Sequence, residues 1–239
     1  MKFRTKEEFD KFLNNLSLLD AGSQGISYVD RKNNIVYKVF HDYFEGDYCL
    51  FDKEQILRFS FLKNNTFIWP SDVIEVGNQV VGYTSFYKKA NNLYRLDPLL
   101  VNLNLFELAI TKAKKDIKKL CEQKISIYDI MYNILYTRGN FYVIDTFEYS
   151  NNLTNDKNNY RGFNLEIMYF LVSGYFDDFI KQDRVLSSMY KDKETDSLEF
   201  LKEFRKKVSE YMDKPILQLE SAKKLVKKKE NKLYIRQIK

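Results

Sequence analysis

Among the 239 residues there are two cysteines, Cys49 and Cys121, and a single histidine, His41. Two thiols cannot build a disulfide framework, and one imidazole removes His-rich zinc sites and Ser-His-Asp triads. So few thiols suit a reducing compartment, and a cytoplasmic location is expected. Only 3 prolines and 8 glycines occur, which excludes a collagen-like repeat or a Gly/Pro-rich linker as the dominant feature. No stretch reaches the roughly 18 uninterrupted apolar residues of a membrane helix. The opening residues, Met1-Lys2-Phe3-Arg4, lack the apolar centre of a signal peptide, so no membrane partner is expected.

Aromatic residues are plentiful: 19 Phe and 18 Tyr, within a chain that is 44% hydrophobic, provide ample material for a core. The formal net charge of +6 is spread unevenly, because the last nineteen residues carry eight Lys or Arg against one Glu. That end reads either as the solvated face of a C-terminal helix or as a footprint for an anionic partner.

Thr5 and Glu8 form a capping box ahead of Phe9, Phe12, Leu13 and Leu16, predicting a short amphipathic helix. A hairpin follows, with Ile26–Val29 and Ile35–Phe40 around a polar turn, and then a helix capped by Asp52 and reaching about Lys63. Two strands, Asp72–Glu75 and Gln79–Phe86, are split by Gly77-Asn78. A long helix is predicted over Leu103–Gln123, with Lys112, Lys114, Lys115 and Lys118 on its polar face. A second small hairpin, Asn133–Thr137 with Phe141–Ile144, precedes an Asn-rich loop, helices near 164–181 and 196–212, and a further helix from about 217.

Two constellations carry chemistry. In the first, Gly22-Ser23-Gln24-Gly25 opens a strand whose hairpin partner contains Lys38 between Ile35-Val36-Tyr37 and Val39-Phe40. A glycine turn lets backbone N–H groups approach phosphate oxygens. A lysine buried on an apolar strand needs an anionic partner, unless the strand is an edge and the lysine faces water. Glu54 in the following helix is the candidate partner, although an acid in a first helical turn also complements the macrodipole wherever it points. The second constellation is Asp129-Ile130-Met131-Tyr132-Asn133-Ile134-Leu135, followed by Val143-Ile144-Asp145-Thr146. Oxygen ligands at the ends of short strands suit Mg²⁺ carried with substrate phosphates, whereas either aspartate alone is an ordinary turn former.

In this order and spacing the pieces resemble the protein-kinase-like superfamily over roughly residues 17–148, in a compact form of bacterial or phage type. The intervals, 91 residues from Lys38 to Asp129 and 16 from Asp129 to Asp145, are of the size that family uses. The resemblance implies an α+β, two-lobed fold: a small antiparallel-sheet lobe over 1–88 and a mainly helical lobe over 89–239, with ATP and Mg²⁺ between them. It also implies site roles. Gly22, Ser23 and Gly25 would cover the phosphates, Lys38 would hold them with Glu54 orienting it, and backbone near Phe86 and Lys88 would bind adenine. Asp129 would accept the proton of the acceptor hydroxyl, and Asn133 and Asp145 would hold the metal.

The chain departs from the family pattern at several points. Asp20 replaces the first glycine, Ser27 a valine, Tyr128 the residue before the catalytic aspartate, and Thr146-Phe147 the usual Phe-Gly; Asn133 follows Asp129 by four residues rather than five. The implied activity is transfer of a phosphoryl group from ATP to a protein Ser/Thr hydroxyl. The alternatives are a pseudokinase acting as a nucleotide-binding scaffold or sensor, and a small-molecule kinase. A nucleic-acid partner would need basic surface continuous from the C-terminus to Lys112–Lys119. Removing the chain beyond about Ile216 takes away none of the proposed ligands, so nucleotide binding is expected to survive it.

Overall fold

The computed structural model describes residues 1–225, and the chain divides into two compact units. The first contains Met1–Ala90 and Tyr142–Ser150, and the second Asn91–Phe141 and everything from Asn151 onward. The segment bearing Asp145 therefore belongs with the strand-rich residues, not with the helices that surround it in sequence. The class is α+β.

In the first unit the order is β1 (Lys2–Phe3), α1 (Lys6–Leu13), β2 (Ser17–Ala21), β3 (Gly25–Asp30), β4 (Ile35–Phe40), α2 (His41–Glu45), α3 (Lys53–Leu57), β5 (Pro70–Val76) and β6 (Gln79–Phe86). These strands form one six-stranded sheet in the order β1-β5-β6-β4-β3-β2. The expectation of a purely antiparallel sheet is corrected here, because β1 pairs with β5 in parallel and makes the sheet mixed. Helix α1 starts as the capping box requires: Thr5 Oγ1 accepts from the Glu8 amide, while the Glu8 carboxylate takes the Arg4 amide at 2.8 Å. Helix α3 begins at the expected cap, Asp52, but ends at Leu57 rather than Lys63.

Alternation along β4 divides the first unit's core. Tyr37 and Val39 pack with Phe9 and Leu13 of α1, whereas Phe40, next to Lys38 in the alternate set, packs with Tyr83, Ile56 and Phe147. Strand β4 also has glycines on both sides. A Cβ on Gly25 would lie 2.2 Å from the Val39 carbonyl oxygen, and one on Gly82 2.1 Å from that of Lys38. Close backbone approach on either side of the lysine is thus written into the sequence.

The second unit contains β7 (Asn91–Asn92), α4 (Leu103–Glu122), β8 (Ile134–Thr137), α5 (Asp156–Val172), α6 (Asp177–Gln182), α7 (Arg184–Lys191) and α8 (Ser197–Met212); β8 also pairs with β9 (Asn140–Val143). Its core is aromatic, with Phe106 of α4 against Phe141 and Phe170, and Phe176 against Phe204. The single helix expected over 164–181 is two, because Gly174 sits at φ +86° between α5 and α6. No helix among the described residues is long and apolar enough to cross a membrane.

Beyond α8 a 3₁₀ segment spans Leu219–Leu225 where a helix from about 217 was expected, and the rest of that expectation lies outside the described residues. Ile216, Leu219 and Ala222 are buried, and the Leu103 amide donates to the Leu217 carbonyl at 2.8 Å. Cutting after Ile216 is therefore not neutral. Loss of the buried Leu219 side chain alone costs about 2–5 kcal/mol, and the melting temperature should fall by roughly 5–15 °C. A chain ending at Leu225 keeps these contacts and should melt higher than the chain cut after Ile216; equal melting of the two truncations would contradict the packing described.

Candidate functional site

The first constellation lies entirely within the first unit. Strand β4 carries Lys38 inward, its side chain only 7% exposed, and the nearby rings of Tyr83 and Phe147 lie 6.0 and 5.7 Å from its ammonium. Lys38 Nζ donates to Asp145 Oδ1 at 2.6 Å and to Gln24 Oε1 at 3.1 Å. Tyr83, directly opposite Lys38 on β6, donates its hydroxyl to the same Asp145 Oδ1 at 2.9 Å. Burial, and then the Asp145 charge, push the Tyr83 phenol well above its ordinary value, so it remains a donor.

This arithmetic leaves something over. An ammonium has three N–H donors and a carboxylate two oxygens. Two of Lys38's donors are used, and both contacts to Asp145 fall on Oδ1. One Lys38 donor and Asp145 Oδ2 have no partner among the described residues.

The expected pairing of Lys38 with Glu54 is not the one formed. Glu54 is exposed in the first turn of α3, which caps through Asp52, and Asp145 holds the lysine instead. Asp145 reaches this position through a left-handed backbone, φ +58°, and Phe147, two residues on, is buried against Phe40, Phe51 and Tyr83.

The glycine turn is tied to this cluster by groups that sequence patterns did not single out. Gln24 uses both ends of its amide, accepting from Lys38 and donating to Glu148 Oε2 at 2.9 Å. His41 Nε2 donates to the Gly22 carbonyl at 2.9 Å, and the His41 amide donates to the Gln24 carbonyl. The Gly22 amide closes the turn onto the Gly25 carbonyl, while those of Ser23 and Gln24 have no partner among the described residues. Asp20 is exposed and turns an oxygen back onto the Ala21 amide. Phe86 ends β6 with its ring exposed, and the exposed Lys88 places its ammonium 5.5 Å from the Tyr142 ring. The Tyr87 amide donates to the Asn34 carbonyl at 2.8 Å.

Of the second constellation, Asp129–Leu135 belongs to the second unit and Val143–Thr146, with Asp145, to the first. Asn159 of α5, 1% exposed, anchors the loop before Asp129 by accepting from the Ile127 amide and donating to the Ile125 carbonyl, both at 2.8 Å. No pattern in the sequence marked it, since a lone Asn in a helix has no signature. Asp129 (φ +43°) and Tyr132 (φ +68°) are both left-handed, and Asn133 Nδ2 donates to the Asp129 carbonyl at 2.8 Å. That bond closes the short Asp129–Asn133 spacing and leaves Asn133 Oδ1 and the exposed Asp129 carboxylate without partners among the described residues. Six described non-glycine residues have positive φ, and three of them, Asp129, Tyr132 and Asp145, sit on these two constellations. Left-handed backbone costs roughly 1–3 kcal/mol per residue and concentrates at functional sites.

Other candidates resolve as structural. Burial pushes the Cys49 thiol up to about 11 and raises that of Cys121, so neither is a ready nucleophile. Four α4 lysines already have partners: Lys112 the Gly139 carbonyl, Lys114 Asp196, Lys118 Glu122 and Lys119 Asp116. In comparisons with known proteins, no family model matches the chain and no curated relative matches it.

Proposed function

We propose that the protein is an ATP- and Mg²⁺-dependent phosphotransferase of the protein-kinase-like class, acting on protein Ser/Thr hydroxyls. The observation that carries this reading is the buried Lys38–Asp145 pair, joined through Gln24 to the glycine turn. A buried ion pair is a poor way to stabilise a small sheet, since apolar residues of similar volume do as well or better. Its presence beside N–H groups and a carboxylate oxygen without partners among the described residues favours a ligand with both phosphate oxygens and a hard cation.

The residues fit that ligand. Lys38's third donor and the Ser23 and Gln24 amides would be available to phosphate oxygens, and with Tyr83 and Lys38 both on Asp145 Oδ1, Oδ2 would be the oxygen left for a cation. Asp145 would hold Mg²⁺, which when bound would neutralise charge on the phosphates. Asp129 orients the acceptor hydroxyl and takes its proton as the new O–P bond forms and the bond to the ADP oxygen breaks.

The second reading, a nucleotide-binding pseudokinase, is favoured by one observation: Glu54 is exposed and Lys38 is held by Asp145 alone among the acids. Titration with ATP and Mg²⁺ tests the shared part of both readings. Lys38→Met should weaken ATP binding at least tenfold while Glu54→Ala leaves it unchanged. Unaltered affinity in Lys38→Met removes the first constellation from any nucleotide site. Incorporation of labelled γ-phosphate into protein by the wild type then separates enzyme from pseudokinase.

A further inference from the structure

The second unit holds a separate polar cavity of about 150 Å³, bounded by α5 and the α7–α8 connection. Lys157, Tyr160, Arg161 and Asn164 supply one wall and, at spacings of three and four, share one helix face. Lys193, Glu194 and Asp196 supply the other. Among the described residues, Lys157, Arg161 and Lys193 have no carboxylate within ion-pairing distance. Asp196 is already committed: it caps α8 through the Leu198 and Glu199 amides and pairs with Lys114. Three uncommitted cations therefore face one uncommitted acid, Glu194.

Asn164 adds an independent and directional feature. It is only 4% exposed, and its Oδ1 accepts from the Ser197 amide at 3.2 Å and the Ser197 hydroxyl at 2.8 Å. A backbone N–H can only donate, so the atom facing it is the oxygen, and Nδ2 is turned away from Ser197 at the cavity wall. That NH₂ has no partner among the described residues. Nδ2 is not one of the fully buried unpartnered side-chain atoms, so it keeps accessible surface where Asn164 lines the cavity and can meet an acceptor there.

The complement of such a wall is a compact anion with several acceptors. The volume is well below the roughly 300–1,000 Å³ of pockets that enclose drug-sized ligands, so a whole nucleotide does not fit. We propose that this cavity binds a single phosphate group, with Lys157, Arg161 and Lys193 supplying charge and Asn164 Nδ2 a directed hydrogen bond. Arg161 brings the planar fork that matches two phosphate oxygens at once. The group is either free inorganic phosphate or a phosphate monoester on a small molecule or peptide side chain. The site stands independently of Lys38 and Asp145.

Calorimetric titration of the full chain at low ionic strength tests it with inorganic phosphate, N-acetyl-O-phosphoserine amide, and N-acetylserine amide as control. Saturable binding of one or both phosphate probes is expected, with none of the control. Arg161→Gln and Lys157→Gln, both at exposed positions, should each weaken it about tenfold or more, and Glu194→Gln should strengthen it severalfold. Preference for inorganic phosphate identifies the free ion, and preference for the ester identifies a phosphorylated side chain; either supports the site. Absence of saturable binding, or binding indifferent to Arg161→Gln and Lys157→Gln, overturns it.

Discussion

Replacing Asp129 with Asn should lower phosphoryl transfer by about 10²–10⁴-fold while leaving ATP and Mg²⁺ affinity within twofold of wild type. The substitution is nearly isosteric, and Asn is among the residues that tolerate the left-handed backbone at this position, φ +43°. The loop's internal bond is made by the Asp129 carbonyl, not its side chain, so Asn133 keeps its anchor. Only the exposed carboxylate is lost, and with it the group proposed to accept the hydroxyl proton. Rates of labelled γ-phosphate transfer, measured beside ATP affinity, give both halves of the expectation. Equal transfer by wild type and Asp129→Asn removes Asp129 from the chemistry.

The second large effect is on stability, and it is asymmetric. Asp145→Ala should destabilise the protein by about 3–5 kcal/mol, because it strands a buried ammonium. Lys38→Met should cost less than about 1.5 kcal/mol, since it fills similar volume with apolar atoms. The reason is exposure: the Lys38 side chain is 7% accessible and that of Asp145 28%, so water reaches the carboxylate left behind but barely reaches the ammonium. Asp145→Ala also deprives the buried Tyr83 hydroxyl of its acceptor and puts alanine at φ +58°. Asp145→Asn, which tolerates that backbone and keeps an oxygen for Tyr83, should fall between the two. Urea unfolding of the three variants gives the order, and a larger loss in Lys38→Met than in Asp145→Ala would contradict the pairing.

These effects show which parts of the molecule its sequence made legible. Periodicity and punctuation located α4, the β3–β4 and β5–β6 strands and the β8–β9 hairpin, because each has a strong apolar pattern bounded by turn residues. Strand β2 was missed: all five of its residues are exposed, so it has no buried alternation to read. Helix α5 starts at Asp156, inside what reads as a polar loop, because its first turns are solvated and only the later ones carry apolar residues.

At the site, Lys38 was conspicuous as a charge interrupting an apolar strand, but its partner was not. Asp145 lies 107 residues away, and the residue spacing that suggested Glu54 carries no information on which acid turns inward. Gln24, Tyr83 and Asn159 act through single hydrogen bonds to residues far along the chain, a kind of role that leaves no local pattern.

The most direct test is thermal denaturation with ATP, with and without Mg²⁺, comparing wild type and Asp145→Asn. With ATP and Mg²⁺ at about 100 times the dissociation constant, binding to the native state alone adds about 2.7 kcal/mol, which for a chain of this size raises the melting temperature by roughly 5–10 °C. Wild type should show the full rise only with Mg²⁺ present, and Asp145→Asn should lose the Mg²⁺-dependent part. A wild-type protein whose melting temperature ignores ATP and Mg²⁺ together would contradict the nucleotide site built on Lys38 and Asp145.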